Sequence, residues 1–308
     1  MDQQFTEMVI AAMGSKTTPK MRRILGSLIQ HIHDFSRENQ ITVEEWMAGV
    51  DFINRIGQMS DERRNEGILV SDVFGLESLV DSITYHLEAH DHTSTAIIGP
   101  FYRPNSPKYP YGGSIIQKEL GGQKTWVHGR VTDTQGNPLE GAELEVWHTA
   151  PNGLYEQQDP DQPDYNLRGT FTADKNGDYA YIALRPTNYP IPYDGPAGDL
   201  LQLMDRHPYR PSHIHWRVTK SGFRSLITQI YDSDCEYVKN DSVFAVKPEL
   251  VVHFKPASEE IKSKYGVEFD LEYNIALPTE AQAHAQVEKR LAEQKALEEE
   301  LHAKAQIK

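Results

Sequence analysis

His207-Pro-Tyr-Arg-Pro-Ser-His-Ile-His-Trp-Arg-Val218 decides how the chain is read. Its second half, running on to Thr219, is β-branched and aromatic and reads as a strand. Side chains alternate across a strand with a period of two. His213 and His215 therefore share one face, and Ile214 and Trp216 share the other. Two neutral imidazoles side by side are two adjacent metal ligands. They are also readable as two satisfied histidines on a half-exposed strand, and the pair alone leaves both readings open.

Outward from that stretch, residues 125–133, 142–150, 167–174, 178–186, 225–232 and 250–254 are further short strand-like runs. Turn residues such as Gln135-Gly136 and Asn176-Gly177 separate them. Short strands without intervening helices imply an antiparallel β-sandwich or barrel. Residues 155–162 and 186–211 are long loops, the usual carriers of function on a rigid sandwich. Before residue 92 the pattern is helical. Met21, Ile24, Leu25, Leu28 and Ile32 recur at helical spacing. Thr42 and Glu45 form a capping box opening a second helix, and a third spans about 76–88. Broad apolar stripes on short helices need a partner surface, either within the domain or across a dimer. Residues 279–308 read as a solvated amphipathic helix with Leu291, Leu297 and Leu301 interspersed. The expected fold class is mainly β with an α-helical N-terminal part. The expected divisions are a helical region over 1–95, an antiparallel β-sandwich catalytic core over 96–278 and a helical tail over 279–308.

The 308 residues carry a formal net charge of −14, which argues against nucleic acid as partner. Cys235 is the single cysteine. One thiol excludes an intrachain disulfide framework and cysteine-based zinc or iron–sulfur sites, which fits a cytoplasmic location. No basic, apolar leader opens the chain and no run approaches a membrane span.

Two tyrosines stand where loops leave strands: Tyr155 closes WHTAPNGLY and Tyr189 closes LRPTNY. Two phenolates with two imidazoles would suit Fe(III) and would suit Zn(II) or Cu(I) poorly. The chain has 15 tyrosines, and either one alone reads as packing. Residue patterns by themselves stop at a possible metal site.

The set WHTAPNGLY, LRPTNYPIPYDGP, RHPYRPSHIHWRV and LITQIYD resembles the intradiol ring-cleavage dioxygenases, over about residues 72–254. The resemblance implies that Tyr155, Tyr189, His213 and His215 hold Fe(III), and that Arg210 and Gln229 line the site. It implies O2-dependent opening of a catechol between its hydroxyls. Tyr189 would leave the metal and take up substrate protons, while Tyr155 stays bound. Three segments look like the hydroxyquinol (benzene-1,2,4-triol) branch: YPIPYDGP (189–196), DSVFAVK (241–247) and LVSD (69–72). By that match Leu69, Asp72, Ile97, Gly99, Pro100, Ile191, Pro192 and Val243 form the substrate pocket. The product would be 3-hydroxy-cis,cis-muconate, the enol of maleylacetate. Cleavage of catechol or chlorocatechol to cis,cis-muconates is the second expectation. Asp72 has two readings, an acceptor for a substrate hydroxyl or the cap of the helix after it. The apolar stripes lead us to expect a homodimer whose contact is built from the helices before about Ile56, and the resemblance implies lipid held in that region. A cupin also carries His-x-His on a strand, but its glutamate position is Thr219 here. A transthyretin-like binding module would need no tyrosine pair.

Overall fold

Among the described residues, five helices precede the first strand. The computed structural model describes residues 3–62, 64–85 and 91–305. Its helices are α1 (Gln3–Ala11), α2 (Pro19–Glu38), α3 (Val43–Met59), α4 (Glu66–Val73) and α5 (Leu76–Tyr85). Thr18 caps α2 by accepting from the Met21 N–H, and Pro19 occupies a position whose N–H would be idle. The capping box forms as expected: Glu45 N–H donates to Thr42 Oγ1 at 3.2 Å and Thr42 N–H to Glu45 Oε2 at 2.8 Å. The helix expected over 76–88 ends its described part at Tyr85, and residues 86–88 lie outside the described residues.

By packing, the chain divides into residues 1–58 and 59–308. The expected division near residue 95 therefore differs: α4 and α5, which pack on each other, fall in the second unit. In the first unit the Phe5 ring stacks on His33 at 5.6 Å and Arg37 donates to Thr6 Oγ1. Met21, Ile24, Leu28, Ile32 and Phe35 leave an exposed apolar stripe along α2.

The second unit is built on strands β1 (Lys124–Asp133), β2 (Glu143–Trp147), β3 (Arg168–Thr172), β4 (Asp178–Leu184), β5 (Tyr189–Pro190), β6 (Tyr209–Arg210), β7 (His213–Thr219), β8 (Leu226–Asp232), β9 (Val251–Val252), β10 (Lys255–Pro256), β11 (Phe269–Glu272) and β12 (Ile275–Leu277). Helices α6 (Pro196–Leu203), α7 (Glu259–Tyr265) and α8 (Glu280–Ala305) complete it. One sheet runs β10-β11-β1-β12 with β4 on the other side of β1, and the second runs β3-β2-β7-β8-β9. Ile214, Trp216 and Val218 of β7 meet Val127, Val131 and Tyr179 of the first sheet in one buried core.

The sheets are mixed, which corrects the expected antiparallel sandwich. β1 pairs in parallel with β11 and β12, and β8 with β9. Parallel neighbours need long connections. Here β9 returns beside β8 only after residues 233–250, and β11 follows α7, a helix that alternation alone does not reveal. The sequence reading also leaves α6 as loop. The tail helix α8 forms where expected, but the side chains of Leu297 and Leu301 lie outside the described residues. No helix among the described residues is long and apolar enough to cross a membrane.

Candidate active site

Residues paired across neighbouring strands point to the same face of a sheet. Register places Arg168, Trp147, His215 and Gln229 in one row across β3, β2, β7 and β8. His213 and Tyr231 form the next row. Ile214 and Trp216 point into the core, so both rows occupy the outer face of the second sheet rather than the end of a sandwich. That face is roofed by residues 96–102. Ala96 N–H donates to Ile227 O at 2.9 Å, and Gln229 Nε2 donates to Ile97 O at 2.7 Å. Phe101 stacks on Tyr155 and Tyr102 tilts onto Trp147. Gly99 has φ +71°, and a Cβ there would lie 3.5 Å from His215 Cε1. That spacing is ordinary contact, so it is the left-handed φ that favours glycine at this point of the roof.

The loops deliver both tyrosines to this spot. Tyr155 N–H donates to Gln158 Oε1 at 3.0 Å, which fixes the residue that ends the turn. Gly153, at φ +81°, packs against Tyr189, where a Cβ would sit 3.1 Å from Tyr189 Cβ. The β5–β6 ribbon pairs Tyr189 with Arg210. Tyr155 Oη and Tyr189 Oη end 3.4 Å apart, and His213 Nε2 and His215 Nε2 end 3.1 Å apart. Ring centroids are 5.5 Å apart for Tyr189 and His213, and 6.4 Å for Tyr155 and His215. The structure thus brings together the four residues that the sequence reading singled out as ligands.

All four are buried. Burial pushes Tyr155 well above the ordinary phenol value, reinforced by Tyr189 and opposed by Arg210 and Arg168. Burial also raises Tyr189, with Arg210 pulling the other way. Burial holds His213 and His215 well below the imidazole value, helped by Arg210 for His213 and by His213 and then Arg210 for His215. His213 Nδ1 lies 2.7 Å from Pro211 O, and a carbonyl only accepts, so Nδ1 carries the hydrogen and Nε2 the lone pair. Nε2 faces Arg210 Nη1 at 3.2 Å as well as His215. A fixed tautomer with its lone pair turned inward is how ligating histidines are prepared. Two hard phenolic oxygens with two neutral imidazoles fit ferric iron. Among the described residues, no group of three His, Cys, Asp or Glu could hold a metal instead.

Arg210 is held from three sides. Its Nη2 donates to Gln229 Oε1 at 2.8 Å, and Nε and Nη2 reach Asp241 at 3.3 Å each. Burial opposes its charge, but Asp241 and the tyrosines outweigh that and keep it a cation. Gln229 is not a free amide. Oε1 also accepts from Tyr231 Oη at 2.8 Å, so the residue clamps Arg210 to the roof. Of the pocket expectations, Leu69, Asp72, Ile97, Gly99, Ile191 and Val243 are buried, while Pro100 and Pro192 are half-buried. Ile97 O accepts from Gln229, a Cβ at Gly99 would meet His215, and Val243 N–H donates to the Asp241 carboxylate that holds Arg210. Ile191 N–H bonds Pro208 O beside the β5–β6 ribbon. Asp72 caps nothing. It lies inside α4, whose cap is Asn65, and its Oδ1 is buried without a hydrogen-bond partner.

Sequence reasoning missed Trp147, which stacks on His215 at 4.7 Å between ring centroids. It missed Tyr231, Asp241, and Arg168, whose guanidinium lies 5.5 Å over the Tyr155 ring and pairs with buried Glu156. The even spacing of Gln229 and Tyr231, both cross-strand partners of the histidines, was the available signal.

A family model for dioxygenases matches residues 97–276, and one for the catechol dioxygenase N terminus matches residues 18–92. The chain belongs to the intradiol ring-cleavage dioxygenases. Relatives of this dioxygenase include catechol 1,2-dioxygenase of Candida albicans, 58% identical over 91% of this chain and 94% of that protein. Hydroxyquinol 1,2-dioxygenase of a Rhizobium species is 39% identical over 82% of this chain and 86% of that one. The crystal structure of hydroxyquinol 1,2-dioxygenase from Pseudomonas putida DLL-E4 superimposes with a TM-score of 0.81 at 36% identity, covering 90% of this dioxygenase and 98% of that chain.

Proposed function

We propose that Tyr155, Tyr189, His213 and His215 hold one ferric ion and that the site cleaves hydroxyquinol with O2 to 3-hydroxy-cis,cis-muconate. Bound there, ferric iron would supply Lewis acidity and a template for the aromatic diolate. The residues supply the rest. Tyr189 Oη, a phenolate while it holds the metal and favoured by burial as a neutral phenol once released, is the base that takes a substrate hydroxyl proton. Arg210, kept cationic by Asp241, faces the negative charge left on the ring. Gln229 keeps that guanidinium and the Ile97 carbonyl in place. Buried Leu69, Ile97, Ile191 and Val243 exclude water from the ring.

The observation that carries the hydroxyquinol reading is Asp72, a buried carboxyl with an unpartnered oxygen in the expected pocket wall. A purely apolar wall would disfavour a third hydroxyl by roughly 1–3 kcal/mol, whereas a wall that pairs it favours it. Catechol cleavage is the second reading, favoured by the 58% identity to the Candida albicans enzyme. Kinetics on both substrates test the choice. Wild type is expected to show higher kcat/KM on hydroxyquinol. Asp72→Ala should lower it by about tenfold while leaving catechol turnover within about twofold. Preference for catechol in wild type refutes the reading.

The same proposal makes the protein a cytoplasmic homodimer joined through α1–α3, with lipid bound by their apolar stripe. Exposed Leu28, Ile32 and Phe35 on α2 support this. Light scattering at micromolar concentration should give twice the chain mass, and solvent extraction should release acyl chains. A monomer under those conditions contradicts the dimer.

A further inference from the structure

We propose that Arg168 is a positioning residue for the reaction: it pins the turn after Tyr155 and lays a positive charge over the Tyr155 ring, and so sets how strongly that phenolate donates to the metal. The proposal rests on the reading of Tyr155 as a ferric ligand.

Tyr155 opens a short turn whose residues are tied down one by one. Its own N–H donates to Gln158 Oε1. Arg168 holds the two residues between: Nε donates to Glu156 Oε2 at 2.7 Å and Nη2 to Gln157 Oε1 at 3.0 Å. The same guanidinium lies 5.5 Å from the centroid of the Tyr155 ring, within range of a cation–π contact. The register of the sheet makes this possible. Arg168 is the cross-strand partner of Trp147, and Trp147 is the partner of His215. The cation and the imidazole therefore rise from one row.

The charge of Arg168 is not cancelled by its anion. Glu156 is shared, because its Oε1 accepts from Arg103 Nη1 at 2.5 Å. Two guanidiniums thus bracket one buried carboxylate. Asp164, which also pairs with Arg103, is exposed and screened by water. Arg168 is 1% exposed, so little water screens it from the ring. Burial pushes its guanidinium down and Glu156 opposes that, and an arginine keeps its proton in either setting. Glu156 and Gln157 leave its Nη1 buried without a hydrogen-bond partner.

The consequence is electronic as well as steric. A cation over the ring lowers the energy of the ring electrons. The Tyr155 phenolate then donates less, which leaves more Lewis acidity for the aromatic diolate. Arg168 does for Tyr155 what outer partners do for ligating histidines: it fixes the ring and tunes its strength as a donor.

Visible spectra, iron content and kcat of the iron-loaded full-length variants test this. Arg168→Gln can still bond Glu156 but has no charge. With iron content retained, its phenolate band should move to longer wavelength and its kcat should fall by about tenfold. Arg168→Lys restores the charge and should return both most of the way to wild type. Arg103→Gln takes from Glu156 its other cation at a half-buried position, and should move the band in the same direction by less. That variant keeps the test decisive if Arg168→Gln does not fold. An unmoved band or an unchanged kcat in Arg168→Gln overturns the proposal, as does an unmoved band in Arg103→Gln where only that variant folds. A shift that Arg168→Lys shares in full also overturns it, because packing and not charge would then be the cause. A colourless wild type fails the reading of Tyr155 as ligand before any substitution is made, and the proposal falls with it.

Discussion

His213→Ala is expected to lower oxygen uptake with substrate by at least about a thousandfold and to leave the purified protein without bound iron. A catalytic metal supplies several kcal/mol of transition-state stabilisation, and each 1.4 kcal/mol is about tenfold in rate. His213 is the most closely prepared of the four proposed ligands. Pro211 O fixes its tautomer, and Arg210 Nη1 lies 3.2 Å from its lone pair. The substitution also strips Arg210 of a neighbour, so substrate charge would be met by a less fixed cation. Stability should move in a predictable direction with pH. Burial holds His213 and His215 below their unfolded value. The unfolded chain then binds more protons below about pH 6.5, and metal-free wild type loses stability as pH falls through that value. His213→Ala removes one of the two groups, so its thermal midpoint should fall less steeply with acid. Wild-type iron content in the variant would contradict the ligand assignment.

Tyr155→Phe and Tyr189→Phe are expected to fail differently. Tyr155 sits under the Arg168 guanidinium and against Phe101, with its backbone locked to Gln158. Nothing in that setting lets it swing away, so its loss should shift the visible band and remove most activity, by about a hundredfold or more. Tyr189 sits on the two-residue ribbon β5, beside Arg210, at the mouth of the long 186–211 segment. The proposed mechanism makes it the ligand that leaves. Tyr189→Phe should keep iron and much of its colour but bind substrate poorly, with KM rising more than kcat falls, because the base for the substrate proton is gone. Stopped-flow absorbance on substrate mixing separates the two. Wild-type behaviour of both variants would remove these roles.

Much of the site was legible because its residues sit at strand ends and carry chemistry that packing does not require. His213 and His215 announce a shared face through their spacing, and Tyr155 and Tyr189 each close a loop leaving a strand. The depth of the site was not legible. Alternation on β7 reads as a half-exposed strand, yet residues 213–216 are all buried because the roof over 96–102 covers the outer face. That roof is a Gly- and Pro-punctuated segment with no periodicity, so no local pattern foretells where it lies. Parallel pairing of β11 and β12 with β1 was hidden for a similar reason. Register between strands more than a hundred residues apart depends on tertiary packing and not on local turns. Asp72 shows the limit from the other side: a carboxyl near a helix end reads equally as a cap, and only its burial inside α4 removes that reading.

Metal analysis combined with the visible absorption spectrum of the purified protein tests the four-ligand ferric site most directly. Two phenolates on Fe(III) give ligand-to-metal charge transfer. The account predicts a red to burgundy protein carrying about one iron per chain, with the band moved by Tyr155→Phe. A colourless protein with stoichiometric zinc would contradict it.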